Sequence, residues 1–99
     1  MRIYISGEMI DSPGFQRRFA STARKLDDKF KGCKIVNPAN LCGVFEEGIY
    51  CEYMHICLEL IKMCDAVYMM PGWEASKWAK EEYEHAKNLG LIIYKDLNL

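Results

Sequence analysis

Residues 64–90, CDAVYMMPGWEASKWAKEEYEHAKNLG, decide the fold. The run Ala66-Val67-Tyr68-Met69-Met70 is apolar, with β-branched and aromatic side chains, and predicts a buried strand over 66–70. Pro71-Gly72 breaks the run, and a helical pattern follows from about Ala75 to Leu89. At about 100° per residue, Trp78, Leu89, Ala75, Ala86 and Ala79 share one narrow arc, with Glu82 in its middle. Lys77, Lys80, Glu81, Glu84 and Lys87 take the opposite face, as a solvated helix surface should. One carboxylate therefore points where the apolar side chains point. Burying it is costly unless it is paired or used. Glu82 either reaches a rim, pairs with a core tyrosine, or has a chemical role.

Working outward, Arg2-Ile3-Tyr4-Ile5-Ser6 reads as a first strand ended by Gly7. Ser12-Pro13 has the form of a helix start, with serine as cap and proline in the first turn. Phe15, Phe19, Ala23, Leu26 and Phe30 then recur at helical spacing, which predicts an amphipathic helix over about 13–31. Residues 33–37 read as a second strand stopped by Asn37-Pro38. The stretch 37–50, NPANLCGVFEEGIY, is the longest irregular one, and loops of that length are usually functional or lids. Apolar residues lie almost all round from Cys51 to Met63, as in a largely buried helix, and Asp65 stands before the next strand as a turn or cap residue. Leu91-Ile92-Ile93-Tyr94 is a last short strand. Strands and helices thus alternate. That predicts one doubly wound α/β domain over residues 1–99, a mainly parallel sheet of about four or five strands in the order 2-1-3-4, and helices on both faces.

Composition narrows the function classes. The 99 residues are half hydrophobic, which favours a folded globule over a disordered chain. A net charge of −1 argues against nucleic acid or anionic membranes as partners. No stretch approaches a membrane span or a signal-peptide core, so a cytoplasmic protein is expected. Five cysteines without a secretion signal argue against a disulfide framework. Cys51, His55 and Cys57 lie within two helical turns and would suit a metal, but no CxxC pair accompanies them. Free core thiols are the favoured reading, and neither metal nor cofactor is expected.

In parallel sheets of this kind ligands bind beyond the carboxyl ends of the strands. The loops there carry Ser6, Gly7 and Glu8, then Asn37, then Gly72 and Trp73, which suit close backbone approach and stacking on a flat ligand. There is no GxGxxG and no Walker pattern. Ser76 near the start of the last helix is read first as a helix cap and second as an anion contact.

Three stretches in order, MRIYISG (1–7), NPANLCG (37–43) and CDAVYMMPGWEASKWAKEE (64–82), resemble a family of short bacterial and phage domains. That family is similar to nucleoside 2-deoxyribosyltransferases and to nucleotide N-glycosidases, and the likeness covers residues 1 to about 94. The resemblance implies a flavodoxin-like sheet and a glutamate nucleophile on the helix after the third strand. Glu82 matches that nucleophile, Tyr4 matches a first-strand tyrosine beside it, and Ser76 matches a serine that contacts a 5′-phosphate. The implied substrate is a nucleoside or nucleotide, and the implied assembly is a homodimer or larger homo-oligomer. The implied reaction is displacement at the anomeric carbon through a glycosyl-enzyme, completed by transfer or hydrolysis. The alternative is a catalytically weakened nucleotide-binding module of the same fold.

The chain departs from the family pattern at three positions. Cys57 stands where an aspartate is common, and a thiol is a weaker acid that anchors a sugar hydroxyl less well. Trp78 stands in place of a glycine and would fill space beside Glu82. Glu8 replaces a proline and either supplies the missing carboxyl or, as the favoured reading, is a solvated loop charge.

Overall fold

The computed structural model describes residues 1–9, 12–41 and 50–99. Among these residues there are four strands, β1 (Arg2–Ser6), β2 (Lys34–Val36), β3 (Ala66–Met69) and β4 (Ile92–Tyr94), and three α-helices, α1 (Phe15–Lys29), α2 (Tyr50–Lys62) and α3 (Lys77–Asn88). All strand pairings are parallel, and the order is β2-β1-β3-β4. The α/β class, the parallel sheet and the strand order are those expected from the sequence.

Parallel strands need crossovers, and the right-handed rule puts oppositely directed crossovers on opposite faces. The chain moves one way from β1 to β2 through α1, and the other way from β2 to β3 and β4 through α2 and α3. Accordingly α2 packs on α3, while α1 packs against β1 and β2. Alternation along β1 then divides the core. Tyr4 and Ser6 face α3, and Ile3 and Ile5 face the other way, all of them fully buried. In register with β1, β3 places Val67 beside Tyr4 and Met69 beside Ser6. The base of the β1–β3 pair is tied by Asp65, whose carboxylate accepts from the Arg2 amide at 2.9 Å and whose amide donates to the Arg2 carbonyl at 2.9 Å. Asp65, read as a turn or cap residue, thus ties two strands together.

Two Pro-Gly pairs shift the helix starts from their sequence-based positions. Gly14 has φ +76°, and the Phe15 amide donates to the Ser12 carbonyl at 3.1 Å, the signature of a type II turn with proline first and glycine second. Gly14, not Ser12, is therefore the N-cap of α1. Pro71-Gly72 repeats the device after β3: Gly72 has φ +87°, and the Trp73 amide donates to the Met70 carbonyl at 3.2 Å. A 3-10 turn over Trp73–Ala75 follows, so α3 begins at Lys77 rather than Ala75.

Along α3, Trp78, Ala79, Glu82 and Ala86 are buried, as the arc predicts. The arc fails only at its ends. Ala75 lies in the 3-10 turn, and Leu89 is the C-cap, 42 % exposed where the helical phase has run out.

Candidate functional site

The middle of α3 meets the carboxyl-terminal half of β1 in a buried polar cluster. Glu82 is 1 % exposed, and each carboxyl oxygen has its own donor. The Tyr4 hydroxyl donates to Oε2, and the Ser6 hydroxyl donates to Oε1 at 2.8 Å. Tyr4 and Ser6 are two apart on one strand and so present their side chains to the same face. Glu82 follows the Ser76 cap by six residues, which sets its position on the apolar side of α3.

Burial dominates the electrostatics. It raises the Glu82 carboxyl from an ordinary 4.5 to about 8, against the opposing pull of Tyr4, Ser6 and the Trp78 indole, while Glu81 adds a small further rise. Burial also pushes the Tyr4 phenol well above its ordinary value, with the charges of Glu82 and Cys57 acting in the same direction. The fully buried Cys57 thiol hydrogen-bonds with Tyr4, so α2 contributes a third wall. Trp78 fills the space beside Glu82 as expected and is 1 % exposed.

Four of the residues singled out from sequence (Glu82, Tyr4, Cys57 and Ser6) are thus brought together. Ser6, expected as a ligand contact, donates its hydroxyl to Glu82. The others lie on the same edge of the sheet, and most have work within the chain. The Ser76 hydroxyl accepts from the Ala79 amide at 3.0 Å, which is the capping reading. Asn37 caps the 3-10 turn over Pro38–Leu41 by accepting from the Ala39 amide at 3.0 Å. Trp73 stacks on Tyr83 with ring centroids 4.7 Å apart, and the Lys95 ammonium lies 5.9 Å from its ring centre.

The two glycines differ in their reasons. A Cβ on Gly72 would meet nothing within 4 Å, so its turn conformation alone calls for glycine. A Cβ on Gly7 would stand 2.8 Å from the Met70 sulfur, so there glycine allows close packing across the β1 and β3 loops. Glu8 is half-buried.

Sequence reasoning missed Tyr53. Its ring lies 5.6 Å from that of Trp78, and its hydroxyl donates to the Pro38 carbonyl at 3.0 Å, which links the loop after β2 to the wall beside Glu82. The available signal was its place one helical turn before Cys57. The metal reading finds no support in the helix: His55 is exposed while Cys57 is buried, so they do not converge, and the Cys51 side chain lies outside the described residues. Among the described residues no three metal-ligating side chains gather. The lid reading of the 37–50 loop falls largely on residues 42–49, also outside the description. No helix among the described residues is long and apolar enough to cross a membrane.

A solved structure of a 2-deoxyribosyltransferase from Leishmania mexicana is similar in fold, with a TM-score of 0.70 at 19 % identity. The superposition covers 95 % of this chain and 62 % of that one, so the chain spans less than two thirds of that enzyme. No curated protein matches by sequence. The family model described as a domain of unknown function, DUF4406, matches residues 1–95, and the chain belongs to that family.

Proposed function

We propose that the chain breaks the N-glycosidic bond of a nucleoside or nucleotide, with Glu82 as nucleophile. The observation that carries this is the carboxyl of Glu82, held between the Tyr4 and Ser6 hydroxyls near the carboxyl edge of a parallel sheet. In the reaction an ionised Glu82 oxygen bonds to the anomeric carbon as the carbon–nitrogen bond breaks, and the base leaves with that electron pair and takes up a proton. Water or a second base then displaces the glutamate and releases it as carboxylate. Tyr4 steadies the carboxyl, and Cys57 acts on it through Tyr4. Ser76, Asn37, Gly72 and Trp73 stand on the loops where the substrate would lie.

The geometry adds two requirements. With the carboxyl at about 8, roughly a tenth of the molecules hold it ionised at pH 7. The side chains that leave it 1 % exposed must also move before a sugar could reach it.

The same burial favours a second reading, a nucleotide-binding module whose glutamate is structural. A thermal-shift screen of nucleosides and their monophosphates, followed by chromatography, separates the two. Stabilisation with release of free base supports the enzyme. Stabilisation without release selects the binder, and no response to any compound removes both.

A further inference from the structure

Ser6 and Tyr4 are not equivalent donors to Glu82. Ser6 is fully buried, and among the described residues its hydroxyl has a single side-chain partner, Oε1 at 2.8 Å. If Oε1 carried the carboxyl proton, Ser6 would have to accept it, and its own proton would be left in the core with no acceptor among the described residues. Such an orphan is costly. Tyr4 is differently placed, because its oxygen touches both Oε2 and the Cys57 thiol. A phenol and a thiol each donate and accept, so Tyr4 can receive a proton from Oε2 and turn its own toward the sulfur. We propose that Ser6 is a positioning residue, whose hydroxyl keeps Oε1 free of the proton and assigns that proton to Oε2, on the Tyr4 side.

The arrangement gives the carboxyl one orientation in both protonation states. Ser6 donates to Oε1 whether Glu82 is neutral or ionised, and only the Tyr4–Cys57 side reorients. The titratable groups facing Glu82 are Tyr4 from β1, Cys57 from α2 and Glu81 on α3 itself. Ser6 and Trp78 are the uncharged groups that favour its anion. The bearing on rate rests on Glu82 as nucleophile; the bearing on protonation does not.

The test is a carbon-13 titration of the Glu82 carboxyl in the full chain without substrate, with the signal identified by its loss in Glu82→Gln. Ser6→Ala removes a donor to the anion and should raise the midpoint by about one pH unit, a tenfold loss of ionised carboxylate below the midpoint. Ser6→Thr keeps the hydroxyl and should stay close to wild type. An alanine midpoint equal to wild type overturns the proposal, and so does a threonine midpoint that moves as far as the alanine one. If the alanine variant does not fold, Ser6→Cys, a weak donor of similar size, takes its place and must move the midpoint in the same direction. A wild-type chain that releases no base, combined with a shifted alanine midpoint, removes the proposed reaction and leaves the assignment of Ser6 standing.

Discussion

Glu82 binds a proton in the folded chain, whereas the proposed reaction needs its carboxylate proton-free. In the folded chain its carboxyl sits near 8, against an ordinary 4.5, so between those values the folded chain keeps a proton that the unfolded chain has lost. Stability from this group is complete below about pH 4.5, falls as pH rises, and levels off above about 8. The expected loss is on the order of a few kcal/mol, a drop in melting temperature of roughly 10 °C or more for a chain of this size. Glu82→Gln cannot ionise and should melt at nearly the same temperature across that window. Turnover should run the other way, rising toward pH 8 as the nucleophile ionises, and Glu82→Gln should abolish it by several orders of magnitude. Glu84, exposed on the same helix, is the control, and Glu84→Gln should turn over as wild type. Melting curves and base release over one pH series check both halves. Turnover by Glu82→Gln at the wild-type rate would leave this carboxylate a purely structural part.

At the level of elements, α3 is held at its start by one hydroxyl. Ser76 is 3 % exposed and caps the Ala79 amide, so Ser76→Ala should cost about 1 kcal/mol, measured as a lower urea midpoint with an unchanged slope. A cost near zero would mean that packing of Trp78 and Ala79 alone fixes the helix start. Periodicity made the interior of this helix legible, because Trp78, Ala79, Glu82 and Ala86 repeat at its turn. Its start was less legible. In sequence Pro71-Gly72 reads as a break, whereas it forms a type II turn that feeds a 3-10 turn before the helix. Pro13-Gly14 did the same to α1 and took the cap from Ser12. Trp73 had the composition of a stacking platform. Its stacking on Tyr83 could not be read, because the pairing depends on how the turn after β3 returns along α3.

For the whole molecule, alternation of strands and helices carried the topology, since a right-handed crossover rule leaves few ways to order four parallel strands. The meeting of Tyr4 with Glu82 was legible as a buried carboxylate wanting a core tyrosine; that Ser6 takes the second oxygen depends on register and was not. Met63, Leu89 and Ile92 remain 57, 42 and 49 % exposed, apolar surface that a second copy of the chain could cover. We expect a homodimer or larger homo-oligomer, and light scattering at tens of micromolar should give at least twice the chain mass. The mass of one chain would contradict it. Tyr4 and Glu82 lie 78 positions apart along the chain. During synthesis the two hydroxyls of β1 leave the ribosome long before their acceptor exists, and β1 also waits for β3 to become its neighbour. Contacts so remote in sequence form slowly. Assembly of the carboxyl cluster is therefore a late event that reports completion of the fold, and a chain cut short before α3 would carry the donors with nothing to hold.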